Sequence, residues 1–360
     1  MALLYQHGGI PAAAFDRFAM PVRPVMDFSV NTNWMGPPPS IRAQWNGLFS
    51  SLDAYPSLHG SAVSDYYLNR YGVPQECILS GNGSAELMYR VALALKPRTA
   101  AIVCPSFYHY DRALKSAGTS IRYVAEHVIG DGNDGVTEAL CDAVSLCDAL
   151  ILGNPNNPTG RLMNRQSIVD AAKRCPDKWF LVDEAFISFV MNEAASSLLF
   201  LRDWPKNLIV FHSLTKFYAL PGIRLGAFRA SPEMVQKVIG VSPPWMVNSL
   251  AEKIAPLLQD AKEYEAQTLT QLRAEVTRLK TRSEGVRHIS FTFGAANFAT
   301  GQWHGSNTLD DLMRPLLARG IFVRDCSNFY GIIPNTFRFA IRSARDNDAL
   351  FDALNEVACG

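Results

Sequence analysis

The sequence predicts an α/β protein with a large domain and a smaller one beside it. Three observations predict it. Apolar runs of strand length at 100–103, 149–152, 179–182 and 207–211 alternate with helix-like stretches, as in an open sheet covered by helices. Each run ends in a loop rich in Gly, Pro, aromatic or hydrogen-bonding residues, and ligands of open α/β sheets collect at the carboxyl ends of strands. At 360 residues the chain is near the upper limit for one hydrophobic core, so two domains are the default.

Composition narrows the function classes. An apolar fraction of 48% with 19% charged residues describes a globular, enzyme-like chain. The net charge of +1 has no block of like charges behind it, which argues against a nucleic-acid tract or a polybasic membrane anchor. Cysteines 77, 104, 141, 147, 175, 326 and 359 are scattered without pair spacing, the pattern of reduced thiols in a cytoplasmic protein with no metal site. No apolar run approaches the ~20 residues of a membrane span. The start, Met1 to Gly9, lacks the basic and apolar regions of a signal peptide.

Taken in order, residues 1–40 are rich in Gly, Pro and Asn and read as an arm draped over another surface. In it, Asn31 and Asn33 beside Gly36 and three prolines suit a polar site. Tyr55 precedes Pro56 and is therefore extended. Helices follow over 61–71 and 84–95. The second opens at Ser80-Gly-Asn-Gly-Ser84, where glycines allow close approach and the helix N-terminus suits a phosphate; an ordinary N-cap by Ser84 is the alternative. The strand over 100–103 ends in Pro105-Ser-Phe-Tyr-His-Tyr110, an aromatic run able to stack on a flat ring. A helix over 111–118 and a strand over 121–124 come next.

The strand over 149–152 leads to Gly153-Asn-Pro-Asn-Asn-Pro-Thr-Gly160, a rigid loop whose asparagine amides can donate. After a helix over 164–174, the strand over 179–182 ends at Asp183. A carboxylate there is costly unless a positive group compensates it. The strand over 207–211 delivers Ser213, Thr215 and Lys216 to a loop, with Arg224 eight residues on. A lysine beside two hydroxyls and an arginine suits an aldehyde cofactor that carries a phosphate. A strand over 225–229 and one long helix from 242 to about 283 lead to a last region read as 288–299, 308–319, 320–325, 336–342 and 346–358. Alternation along Phe337, Phe339 and Ile341 places Arg338 and Arg342 on the other face.

Asn154-Pro-Asn-Asn-Pro-Thr-Gly160, Asp183-Glu-Ala185 and Ser213-Leu-Thr-Lys216 with Arg224 together resemble the fold-type I pyridoxal-phosphate enzymes, in the branch that includes histidinol-phosphate aminotransferase. The resemblance runs from about Asn31 to Arg342. It implies a mostly parallel seven-stranded sheet in a large domain over 41–245. An arm over 1–40, a linking helix over 246–285 and a small α/β domain over 286–360 complete the expected division. It further implies Lys216 as the Schiff-base lysine, Asp183 as partner of the pyridine nitrogen, Asn157 as donor to the phenolic oxygen and Phe107 as the stacking ring. Gly81, Asn82, Gly83, Ser213, Thr215 and Arg224 would bind the cofactor phosphate. Tyr55 would reach that phosphate from the partner subunit of a homodimer, and Arg338 would bind the substrate carboxylate.

One position departs. The branch usually carries a tyrosine three residues after the aspartate; here it is Phe186. A narrower likeness accommodates this. His7-Gly-Gly9, Asp27-Phe-Ser29 with Asn31, Asn33 and Gly36-Pro-Pro38, Asp183-Glu-Ala-Phe186, Pro244-Trp245 with Asn248, and Arg324-Asp325 with Ser327-Asn-Phe329 are similar to the threonine-phosphate decarboxylases of cobalamin biosynthesis. That family implies decarboxylation of L-threonine O-3-phosphate or O-phospho-L-serine, with His7, Asn33, Arg324 and Arg338 as substrate residues. An aminotransferase of the histidinol-phosphate or aromatic type is the alternative, and a non-enzymatic cofactor-binding sensor is a third reading.

Overall fold

The computed structural model describes residues 8–130, 135–306 and 308–359. Its large sheet has seven strands. In chain order they are β1 (Ile78–Gly81), β2 (Thr99–Cys104), β3 (Ser120–Ala125), β4 (Ala149–Gly153), β5 (Trp179–Asp183), β6 (Leu208–Ser213) and β7 (Gly226–Arg229). Their spatial order is β1-β7-β6-β5-β4-β2-β3. Only β7 runs antiparallel to its neighbours; the other pairings are parallel. Successive side chains point to opposite faces. Leu150, Leu152, Val182 and Val210 join one apolar core, while Ile151, Leu181, Ile209 and Phe211 join another across the sheet. Burial on both faces explains why these strands read as continuous apolar runs.

Register brings the chemistry together. Gly153 lies beside Asp183, and Asp183 beside Phe211. Ser213 lies beside Gly226, which lies beside Gly81. The loops after β4, β5 and β6 and the helix after β1 therefore open at one edge of the sheet. The strand order reverses between β2 and β4, which forms the crevice where such sheets bind ligands.

A second, antiparallel sheet has β8 (Ile289–Phe293), β9 (Phe298–Trp303), β10 (Arg324–Asp325) and β11 (Thr336–Ala340) in the order β10-β11-β9-β8. The arm crosses both regions. Met26 and Asp27 pair in parallel with Ile321 and Phe322, and Ala340 N–H donates to the Phe28 carbonyl at 2.8 Å.

Two sequence expectations change here. The single helix over 246–285 is two helices, Ser249–Leu257 and Lys262–Ser283. Pro256 sits in the last turn of the first, where it lacks an N–H and crowds the preceding turn. The strand expected over 288–299 is β8, a turn and the start of β9.

Candidate active site

A cavity of about 470 Å3 opens at the carboxyl ends of β4, β5 and β6. Lys216 lies on a four-residue helical turn, Leu214–Phe217, directly after β6. Burial pushes its ammonium down to about 8, helped by Arg224 and Arg338 and opposed by Asp183. A buried lysine held near neutrality is a nucleophile in waiting.

Asp183 ends β5. Tyr110 Oη donates to its Oδ2 at 2.8 Å, and Ala185 N–H donates to its Oδ1 at 3.0 Å. Burial still raises the carboxyl to about 6, against the pull of Tyr110, Ala185 and Lys216. Such a group favours a cationic neighbour. Tyr110 was missed in the sequence because it read as one more ring in the aromatic run. The available signal was its place three residues after Phe107, at the start of the following helix; Phe107 lines the cavity.

One end of the cavity is built by the start of the helix Ser84–Leu95. Its N-cap is Gly83 at φ +90°, and no side chain caps it, so its first N–H groups and dipole remain available to a ligand. Gly83, Ser84 and Ala85 line the cavity with Ser213, Thr215 and Arg224. A Cβ on Gly83 would stand 2.4 Å from Arg224 Nη2, and the φ of +90° is one that L side chains rarely adopt. Of the expected cradle of Gly81, Asn82 and Gly83, Gly83 lines the cavity. Gly81 pairs in the sheet, Asn82 N–H donates to Glu86 Oε2 at 3.0 Å, and Gly83 N–H donates to the Gly81 carbonyl at 2.7 Å. Ser213 Oγ and Thr215 Oγ1 are hydrogen-bonded to each other at 2.9 Å.

Of the three asparagines in the loop after β4, only Asn157 lines the cavity. Asn154 donates to the Met163 carbonyl, and Asn156 donates to the Pro105 carbonyl and to Glu126. Arg338 Nη1 donates to Asn157 Oδ1, which leaves the Nδ2 donor for a ligand. Phe186 also lines the cavity and meets Phe298 edge-on at 5.0 Å, a contact a ring makes without a hydroxyl.

Arg324 and Arg338 are register partners across β10 and β11. They are only 5% and 6% exposed, and both line the cavity. Arg338 Nη2 donates to the Ser29 carbonyl at 2.8 Å, and its Nε has no partner among the described residues. Arg324 donates to the Asp325 carbonyl at 2.5 Å and to Asn328 Oδ1 at 2.6 Å. The Asp325 carboxylate itself pairs with Arg17. Burial lowers both guanidinium groups from their ordinary value, Arg338 to about 10. Arg342 lies elsewhere, paired with Asp346.

The arm supplies Asn31, which the sequence placed with Asn33 as suited to a polar site without assigning it a role. Asn31 lines the cavity and is 4% exposed. Neither its Oδ1 nor its Nδ2 has a hydrogen-bond partner among the described residues, and such an amide is costly to bury unless a ligand meets it. Asn33, the expected substrate residue, is outside the cavity lining, with its amide donating to Phe217 and Thr268. The chain leaves its strand after Asp27, so spacing alone does not say which asparagine faces in. His7 lies outside the described residues, while the following Gly8 lines the cavity. Tyr55 is outside it, 81% exposed, and its ring stacks on Trp245 at 4.7 Å.

This fold and this site define a protein of the aminotransferase class I and II family. The family model matches residues 23–354, and the chain belongs to that family. It is 33% identical over 360 residues to the threonine-phosphate decarboxylase of Salmonella typhimurium, covering 98% of this chain and 97% of that protein. It is 27% identical to the adenosylcobalamin biosynthesis bifunctional protein CobDQ of Leptospira interrogans, covering 99% of this chain and 41% of that protein. Among solved structures, the histidinol-phosphate aminotransferase from Clostridium acetobutylicum superposes with a TM-score of 0.84 at 27% identity, covering 92% of this chain and 98% of that one.

Proposed function

We propose that the protein is a pyridoxal-phosphate-dependent decarboxylase of a phosphorylated amino acid, L-threonine O-3-phosphate first and O-phospho-L-serine second. One observation carries this reading: the cavity holds two separate sets of anion partners. The uncapped helix end with Arg224 is one, and the opposed Arg324 and Arg338 beside Asn31 are the other. A substrate with both a carboxylate and a phosphate uses the second set fully. The likeness to threonine-phosphate decarboxylase over nearly the whole chain supports the same reading.

The residues fit the cofactor. Lys216 would hold it covalently, Asp183 would face its pyridine nitrogen, Phe107 would cover its ring, and Asn157 would donate to its phenolic oxygen. Gly83, Ser84, Ala85, Ser213, Thr215 and Arg224 would take its phosphate. When bound, the cofactor accepts the electron pair left at Cα as the carboxylate departs. The chain's own residues decide which bond breaks. Arg324, Arg338 and Asn31 would hold the two substrate anions and so set which bond at Cα is placed to break. Lys216 then returns a proton to Cα. Carbon dioxide leaves, and 1-amino-2-propanol O-phosphate is released with its phosphate intact.

Tyr55 belongs, in this reading, to a face shared by two subunits. Trp45, Phe49, Leu52 and Leu58 are exposed near it in sequence, and large apolar side chains in such number suit a protein interface. The scattered thiols, none bridged, support a cytoplasmic setting.

The test is CO2 release measured on phosphothreonine, phosphoserine and histidinol phosphate, with and without 2-oxoglutarate. Release from phosphothreonine without 2-oxoglutarate is expected. Amino transfer that requires 2-oxoglutarate, without CO2, would decide for the aminotransferase.

A further inference from the structure

The turn Leu214–Phe217 that carries Lys216 has only four residues. The chain after it donates to its Thr215 carbonyl from the Leu220 N–H at 2.9 Å and to its Lys216 carbonyl from the Ala219 N–H at 3.3 Å. The Lys216 and Phe217 carbonyls can each accept a further donor. Asn33 reaches them from 183 positions away in the chain. Its backbone N–H donates to the Lys216 carbonyl at 2.9 Å. Its Nδ2 donates to the Phe217 carbonyl at 3.0 Å and to Thr268 Oγ1 at 2.9 Å. Its Oδ1 accepts the Met35 N–H at 3.1 Å. Every donor of this 3% exposed residue is thus engaged. Tyr264, on the same helix as Thr268, brings its hydroxyl to the same Phe217 carbonyl at 3.2 Å and to the Gly36 carbonyl at 2.8 Å.

The arm does two other things within five residues. The Ser29 carbonyl accepts from Arg338, and Asn31 presents its unpartnered amide to the cavity. One short segment therefore joins the anion-facing arginine, the cavity wall and the turn beneath Lys216. A capped turn has one backbone position; an uncapped one frays, as helix ends do.

We propose that Asn33 is a positioning residue that fixes where the Lys216 amine stands, without touching the substrate itself. The inference rests on the reading that Lys216 holds the cofactor. It replaces the substrate contact that the family likeness implied for Asn33.

The test compares wild type, Asn33→Ala and Tyr264→Phe, each loaded with pyridoxal phosphate. Borohydride should fix the cofactor to Lys216 in all three. The pH midpoint of the bound cofactor's absorbance should move by about half a unit in Asn33→Ala, and by less in Tyr264→Phe. For phosphothreonine, kcat should fall about five- to tenfold in Asn33→Ala while KM stays within about twofold, the loss expected for one or two hydrogen bonds. A large rise in KM with unchanged kcat and midpoint would mean that the amide touches substrate, and overturns the proposal. Unchanged midpoint, kcat and KM would mean packing alone, and also overturns it. Should Asn33→Ala not fold, Tyr264→Phe and Thr268→Val carry the test, and wild-type midpoints and kcat in both overturn it. Wild-type protein that fixes no cofactor on Lys216 overturns the functional reading and this inference with it. Wild-type fixation with an unmoved midpoint in the variants overturns only the inference.

Discussion

Arg324 and Arg338 stand directly opposite each other on an antiparallel strand pair, both buried. Like charges opposed across a pair are destabilising, and burial adds a desolvation cost. Each keeps neighbouring acceptors, but the pair concentrates positive charge in the cavity wall. The arrangement makes sense when an anion sits between the two.

From that follows a pair of opposite effects. Arg324→Ala is expected to lower kcat/KM for phosphothreonine roughly ten- to a hundredfold, since a charged hydrogen bond is worth about 1.5–3 kcal/mol, with cofactor binding retained. Arg324→Met, which keeps bulk and removes the charge, should match or exceed the wild type in thermal stability without ligand. Kinetics and thermal unfolding on the same preparations check both. Near-normal kcat/KM in a folded, cofactor-loaded Arg324→Ala protein would assign Arg324 a structural role.

The second expectation concerns pH. Lys216 is held at about 8, and Arg338 is one of the charges holding it down. The amine is neutral, and able to attack an aldehyde, above that value. Capture of pyridoxal phosphate by cofactor-free protein should therefore speed up as pH rises through about 8. Removing a positive neighbour raises a lysine pKa, so the profile should move to higher pH in Arg338→Ala. Stopped-flow absorbance across the pH range measures it.

Gly83→Ala should damage the cofactor site selectively. The new methyl would lie 2.4 Å from the Arg224 guanidinium at a backbone angle of +90°, which an L side chain rarely adopts. A loss of cofactor affinity of at least about tenfold is expected, with the remainder of the fold intact by circular dichroism. Equilibrium titration with pyridoxal phosphate gives the number.

Tyr110→Phe removes the donor on Asp183 Oδ2. That hydrogen bond holds the carboxyl down against burial, so its loss should raise the carboxyl further above 6. At pH 7 less of it would be ionised to face a pyridinium. Weaker cofactor binding and a kcat that recovers only at higher pH are expected. A pH profile superimposable on the wild type would show that Tyr110 does not support the carboxylate.

The shared site can be tested by mixing. A dimer of one Tyr55→Phe subunit and one Lys216→Ala subunit contains one site with both native residues and one with neither. Verified heterodimers should regain about half the wild-type activity if Tyr55 crosses to the partner's site. No recovery would place Tyr55 in a purely local role, as the stacking on Trp245 would then suggest.

The sequence alone determined what local chemistry and short-range order decide. The strand that ends in Asp183, the turn with Ser213, Thr215 and Lys216, and the helix Ser84–Leu95 were all legible, because apolar runs, glycine and the order of loops are local facts. What lies between distant segments was settled only by tertiary structure. Strand register put Arg324 opposite Arg338. Packing of the helix His109–Ser116, which follows β2, brought Tyr110 to Asp183 across 73 positions. The irregular arm, without a two-residue period to read, turned Asn31 into the cavity and Asn33 onto the lysine turn. A side chain's partner in such places is fixed by long-range packing, and residue spacing carries no record of it.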